Sequence, residues 1–185
     1  MDLGQTLPPL VIMGVSGTGK TVVGQQVAEA LGVTFIDGDD LHTPANKAKM
    51  AAGIPLTDTD RMPWLAAIAT ELSRLPAPLI ACSALKRRYR DRLRIDAPAT
   101  FFIHLDGPRA VIADHLARRA HEFMSPTLLD SQLSTLEALE PDEAHMVVSI
   151  EQSLPEVRQT ILDLLPVELA RIALHRRTRL EEEDQ

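Results

Sequence analysis

Gly14-Val15-Ser16-Gly17-Thr18-Gly19-Lys20-Thr21 is the stretch from which the rest of the chain can be read. It satisfies the pattern G-x-x-x-x-G-K-[ST] and lies between an apolar run, Leu10 to Met13, and a helical pattern, the context this motif requires. Glycines let backbone N–H groups wrap phosphates without Cβ clashes, and a helix starting at the loop turns the positive end of its dipole toward them. Gly14, Gly17 and Gly19 fill that role, Lys20 is placed to reach β- and γ-phosphates, and the Thr21 hydroxyl is placed to ligate Mg2+. Ser16 and Thr18 either add a hydroxyl contact or are small residues that fit a tight loop. The expected ligand is ATP with Mg2+.

Working outward, Val23, Val27 and Leu31 recur every four residues and Gly32 is placed to stop the helix. Further apolar runs at Thr34 to Ile36, Leu79 to Cys82, Thr100 to Leu105 and Met146 to Ile150 alternate with helical patterns. Such alternation marks an α/β fold, here a three-layer P-loop NTPase sandwich with five parallel strands flanked by helices. Helices are expected from Pro44 to before Gly53, from about Pro63 to Leu75, from Pro108 to Arg119, from a Ser125 cap and Pro126 to near Leu139, and from Pro155 to Leu165. With no internal repeat or low-complexity linker, residues 1–166 read as one domain. Pro166 reads as its boundary, and 167–185 as a helical extension with an acidic tail whose last residues are expected to be disordered.

The turn Asp37-Gly38-Asp39-Asp40 falls at the carboxyl end of the second strand, the edge at which open α/β sheets bind ligands. A hydroxyl acceptor needs a carboxylate to orient it and take its proton, and Mg2+ needs carboxylates to hold its waters. Asp39 is therefore assigned the base role and Asp37 the metal role through water; the competing reading is a carboxylate-rich turn without chemistry, and Asp40 could cap a helix. Downstream, Leu56-Thr57-Asp58-Thr59-Asp60-Arg61-Met62-Pro63-Trp64 offers Asp58 or Asp60 as helix caps. Arg61 suits bidentate recognition of an anionic acceptor. Lys86, Arg87, Arg88, Arg90, Arg92 and Arg94 crowd one stretch, which reads equally as a solvated helix face or as a positive patch for a small anion.

The 185 residues suffice for a real core, and 45% are apolar. A net charge of −7 argues against nucleic-acid partners. No apolar run reaches the ~18–20 residues that span a bilayer. The start lacks a secretory pattern and Cys82 is the single cysteine, so the chain reads as cytoplasmic and free of disulfides, with no membrane partner.

Taken together, these segments resemble the gluconokinases, a branch of P-loop small-metabolite kinases with a shikimate-kinase-like fold. The resemblance covers about residues 10 to 165. Besides the P-loop it rests on Asp37 to His42, Asn46, Lys49-Met50, Gly53 to Leu56, Asp58, Asp60-Arg61, Pro63 to Leu65, Cys82 to Lys86, Tyr89 to Asp91, Ser131-Gln132 and Thr135 to Glu137. It implies transfer of the ATP γ-phosphoryl group to D-gluconate, a mobile helical lid at about 119–138, and a homodimer. It further implies that Asp39 and Arg61 contact the acceptor, that His42 bonds its hydroxyls, and that Lys86 and Arg90 lie near it. The family's lid shows an arginine followed by a Gly-His-Phe run, whereas this chain reads Arg119-Ala120-His121-Glu122-Phe123; Arg119 still suits neutralisation of the transferring phosphoryl group.

Other readings stay open at this level. A different small-metabolite kinase, such as a shikimate kinase, would also use paired aspartates and an arginine, although Asp60 to Trp64 and Cys82 to Lys86 speak against it. A nucleoside monophosphate kinase would need a base-stacking aromatic that the acceptor segment lacks. A nucleotide-dependent switch should carry Asn-Lys-x-Asp, and Asn46-Lys47-Ala48-Lys49 has lysine at the last position.

Overall fold

The computed structural model describes residues 7–118 and 126–183. Strands β1 (Leu10–Met13), β2 (Phe35–Asp37), β3 (Leu79–Ala81), β4 (Phe101–Asp106) and β5 (His145–Ser149) form one parallel sheet in the order β2-β3-β1-β4-β5. Helices α1 (Lys20–Leu31), α2 (Pro44–Ala51), α3 (Asp58–Arg74), α4 (Arg87–Asp96), α5 (Arg109–Ala117), α6 (Pro126–Thr135) and α7 (Leu154–Glu183) complete the chain. The α/β expectation holds, and the five strands lie where the apolar runs place them, with shifts of one residue.

Alternation along each strand divides the interior in two. Leu10 and Ile12 of β1 join Leu79 of β3 and Phe101 of β4 in a cluster with Val27 of α1, Ile112 of α5, Leu129 of α6 and Ile161 of α7. Val11 and Met13 join Ile80 and Phe102 on the opposite face, against Trp64, Leu65 and Ile68 of α3 and Leu93 of α4. Both faces being covered, β1 and β3 are apolar at every position, as a buried parallel sheet requires, while β4 admits His104 and Asp106 toward its carboxyl end. Enclosing each of these large side chains stabilises the fold by about 1.5–3 kcal/mol before entropic costs.

Two elements differ from expectation. Helix α3 begins at Asp58, five residues before Pro63, because Thr57 and Asp60 form a reciprocal cap: Thr57 Oγ1 accepts from the Asp60 N–H at 3.2 Å and Asp60 Oδ2 accepts from the Thr57 N–H at 2.9 Å. Pro63 then sits inside the helix. Helix α7 likewise continues through Pro166 to Glu183, with Leu169 and Ile172 packed against the first cluster, so the proline does not end the helix. Proline's missing N–H removes one backbone bond, which packing on both sides of it offsets. The Ser125 cap lies outside the described residues.

The chain leaves central β1 toward β3 and β2 on one side and β4 and β5 on the other. The carboxyl ends of these strands thus open a crevice at the loop following β1. Close approach forces two glycines there. A Cβ at Gly14 (φ 142) would lie 2.6 Å from the Leu105 carbonyl oxygen, and one at Gly38 would lie 2.3 Å from that of Ala81.

Candidate active site

The phosphate loop joins β1 to α1 without a side-chain cap, so the positive end of the α1 dipole points into the loop. The Thr18 hydroxyl donates to the Val15 carbonyl at 2.9 Å, which assigns Thr18 to shaping the loop. Lys20 Nζ donates to the same carbonyl at 3.0 Å, folding its ammonium over the loop. The Thr21 hydroxyl donates to Asp37 Oδ2 at 2.8 Å, and Asp37 Oδ1 accepts from the Asp39 N–H at 3.1 Å. The edges of β1 and β2 therefore meet through side chains 16 residues apart. A hydroxyl beside a carboxylate is an all-oxygen donor pair suited to a hard cation that keeps most of its own waters. Thr21 and Asp37 fit Mg2+ on that chemistry.

Buried Cys82 directly follows β3. Burial, opposed by the Ala84 N–H and Lys20 and assisted by Asp39 and Asp37, pushes its thiol up to about 12. A thiol held protonated is no nucleophile.

On the acceptor side, His42 is buried and stacks on Trp64 with ring centroids 4.2 Å apart and planes at 14°. The Trp64 indole N–H donates to the Gly38 carbonyl at 2.6 Å, tying α3 to the turn that carries Asp39. Asn46 Nδ2 lies 3.3 Å from His42 Nδ1 and donates to the Asp60 carbonyl at 2.8 Å. With Asn46 as donor, Nδ1 is the acceptor and Nε2 carries the proton of the neutral ring. Burial, then Arg61 and Lys47, lowers the His42 pKa from 6.5 to about 4. The unfolded chain takes up a proton near pH 6.5 that the folded chain refuses until about pH 4, so this group is neutral to stability above 6.5 and destabilises progressively below it. Melting temperature is expected to fall between those limits and His42→Gln to flatten that limb; an unchanged slope would assign it to other groups.

Arg61, Lys86 and Arg88 surround the Tyr89 ring, 5.8, 5.7 and 5.6 Å from its centroid. Asp58 accepts from Lys86 Nζ at 3.1 Å and also meets the Tyr89 hydroxyl and Arg88. Arg61 further donates to the Leu56 carbonyl. Arg61, Lys86 and Arg88 thus form a cationic patch organised by one carboxylate. Asp58 and Arg88 were invisible as such in the sequence, where Asp58 read as a cap and Arg88 as one of many basic residues.

Arg90 does not join that patch. It is 0% exposed and forms a two-point pair with Glu143, Nε to Oε1 at 2.7 Å and Nη2 to Oε2 at 3.0 Å. Its remaining donors meet the carbonyls of Ala84, Leu85, Glu137 and Ala138 at 3.0–3.3 Å. Enclosure of the whole guanidinium corrects the expectation of an acceptor contact: Arg90 fastens the loop before α4 to the segment after α6. Burial pushes the Glu143 carboxyl up, but the Arg90 hydrogen bonds and the Glu140 N–H outweigh it and hold it below its usual range. Arg119, with the variant lid residues His121 and Glu122, lies outside the described residues.

A cleft of about 500 Å3 opens beside the loop, between Gly17 to Gly19, His115 and Arg118 at the end of α5, and the turn Glu151-Gln152-Ser153 before α7. His115 Nδ1 lies 3.2 Å from the Gly17 carbonyl. Sequence reasoning missed this cleft because no motif marks it; pairing of β4 with β5 brings its walls together.

The sequence pattern of the shikimate kinase family matches residues 16–163. A gluconokinase of Gluconobacter oxydans (strain 621H) is 48% identical over 147 residues, covering 77% of this chain and 83% of that protein. The crystal structure of a gluconokinase from Sinorhizobium meliloti 1021 superimposes with a TM-score of 0.83 at 43% identity, over 95% of this chain and 98% of that one. Shikimate kinase from Acinetobacter baumannii, in complex with shikimate, superimposes with a TM-score of 0.61 at 19% identity over 88% and 94% of the two chains, a likeness of fold alone.

Proposed function

We propose, since the chain belongs to the gluconokinase branch of the shikimate kinase family, that it phosphorylates D-gluconate from ATP, giving 6-phospho-D-gluconate and ADP. The observation that carries the reading is the hydrogen-bonded run Thr21–Asp37–Asp39 beside the loop that Lys20 folds over, in a chain that also gathers Arg61, Lys86 and Arg88 into one cationic patch.

Phosphoryl transfer is mostly a matter of positioning and electrostatics. In this reading the phosphates lie on the N–H groups at the start of α1, with Lys20 along the β- and γ-oxygens. The base lies in the cleft beside Arg118. The acceptor carboxylate is held by the cationic patch, with Arg61 its principal partner, and its hydroxyls meet the Nε2–H of His42. Asp39 orients the terminal hydroxyl and takes its proton as the new O–P bond forms. The bond from the γ-phosphorus to the β–γ bridging oxygen breaks, and ADP leaves with that electron pair. Thr21 directly and Asp37 through water would hold Mg2+, whose contribution when bound is to neutralise charge on the phosphate oxygens. Arg119 is the proposed further cation for the transferring group. No helix among the described residues is long and apolar enough to cross a membrane, and the reading is of a cytoplasmic homodimer.

The test is ADP release with MgATP across D-gluconate, shikimate, other sugar acids and nucleoside monophosphates, with a no-acceptor control. Turnover confined to D-gluconate is expected; turnover on shikimate instead would move the chain to the other branch of its family. Within the active enzyme, Arg61→Ala is expected to raise KM for D-gluconate by about 10–100-fold, the worth of a charge-assisted hydrogen bond, with KM for ATP little changed. Unaltered acceptor kinetics would reduce Arg61 to its structural contact with Leu56.

A further inference from the structure

Ser131-Gln132 is part of the family resemblance, yet no role for Gln132 has emerged from the chemistry above. Gln132 sits on the inward face of α6, among Leu129, Leu133 and Leu136, which pack into or against the core. An amide on such a face needs a partner, and this one finds it 116 residues away in the phosphate loop. Gln132 Oε1 accepts from the Ser16 N–H at 2.7 Å and Gln132 Nε2 donates to the Ser16 hydroxyl at 3.2 Å. The carboxamide orientation follows, since a backbone N–H meets only an acceptor.

Two observations locate the Ser16 N–H relative to a bound nucleotide. The arm Gly17 to Gly19 lines the cleft proposed for the base. The arm Gly14 to Ser16 lies on the other side, where the Gly14 N–H approaches the Ser83 carbonyl at 3.4 Å, in the loop leading to Lys86 and the cationic patch. A nucleotide laid from the cleft across the loop therefore brings its last phosphoryl group to Ser16. The helix that carries Gln132 is itself held close by. Asp130 bridges to Arg109 of α5 at 2.6 Å, and just past α6 the Glu137 N–H donates to the Leu85 carbonyl at 2.8 Å.

We propose that Gln132 distinguishes a triphosphate from a diphosphate at the phosphate loop. In the structure its carboxamide oxygen accepts from the Ser16 N–H. A terminal phosphoryl oxygen, being the stronger acceptor, takes that N–H, and the carboxamide rotates to donate its NH2 group to the same phosphoryl group. A diphosphate ends short of Ser16 and leaves the Gln132 contact in place. The proposal rests on the kinase reading but not on which acceptor is used.

The test measures Kd for ADP and for a non-hydrolysable ATP analogue, both with Mg2+, in the full-length wild type, Gln132→Ala and Gln132→Glu, with melting temperatures as a check on folding. Gln132→Glu preserves size and the bond to Ser16 but presents only acceptors and a negative charge. It is expected to weaken the analogue by about tenfold or more, as when a charge-assisted hydrogen bond is replaced by repulsion, and to change ADP less than about threefold. Gln132→Ala is expected to narrow the same preference, and in turnover to lower kcat with KM for D-gluconate unchanged. Equal effects on both nucleotides, no effect on either, or a defect confined to KM for D-gluconate would overturn the proposal while leaving the kinase reading intact. A wild type that binds neither nucleotide would overturn both. A wild type that shows the nucleotide split but no turnover of D-gluconate would uphold the role of Gln132 and overturn only the assigned acceptor.

Discussion

Asp39→Asn is expected to lower kcat by about 10²–10⁴-fold, the range lost with a positioned general base, while the Kd for MgATP stays within about twofold. Asparagine keeps the shape of the side chain and the backbone tie from the Asp39 N–H to Asp37, but it cannot accept the hydroxyl proton. The split between kcat and nucleotide binding is the informative part. A residue that merely shaped the turn through that backbone tie would leave both parameters unchanged, because asparagine retains it. Rapid-quench measurement of the transfer step separates chemistry from product release, and full activity in Asp39→Asn would remove Asp39 from the base role.

Arg90→Met is expected to destabilise the fold by about 3–5 kcal/mol, because it strips the buried Glu143 carboxylate of its two-point partner and leaves only the longer contacts to Arg94 at 3.5 Å and Arg87 at 3.7 Å. Against a total of about 5–15 kcal/mol for a typical domain, that is a large share. At about 2–4 °C per kcal/mol for a chain of this size, melting temperature should fall by about 6–20 °C. Arg90→Lys should restore little of it, since an ammonium cannot reproduce the fork that reaches both Glu143 oxygens and four carbonyls. Replacing both partners, Arg90→Met with Glu143→Leu, should recover much of the loss by removing the poorly compensated buried charge. The backbone adds a further cost, because Ala84 sits at φ 45, an uncommon conformation for alanine, and its carbonyl is one of those Arg90 holds. An Arg90 variant of normal stability whose defect lay in KM for D-gluconate would return Arg90 to the acceptor site.

The contrast between Arg90 and Gln132 marks how far local reading reaches. Both lie in segments that the family resemblance singles out, and both looked like chemistry or like nothing. Arg90 is one of six basic residues within nine positions, and periodicity alone cannot say which of them turns inward. Glu143, 53 residues downstream, decides that. Gln132 carries no motif of its own, and its partner is 116 residues upstream. The boundaries of α3 and the continuity of α7 were lost for a related reason. Proline was read as helix punctuation, whereas the Thr57–Asp60 cap and the packing of Leu169 and Ile172 outweigh one missing hydrogen bond.

Local chemistry by itself determined the α/β class, the five strands and the phosphate loop, because each rests on interactions between near neighbours: a glycine-rich turn into a helix, a four-residue apolar repeat, a continuous apolar run. It also set Asp37 and Asp39 at a strand's carboxyl end. Only the tertiary structure decided which charges gather in a patch and which pair within the interior. Arg61, Lys86 and Arg88 gather around Tyr89 and Asp58, Arg90 turns away to Glu143, and the walls of the cleft beside the phosphate loop meet through the β4–β5 pairing. Charge pairing and cleft formation depend on distances between segments far apart in the chain, and those distances exist only once both faces of the sheet are packed.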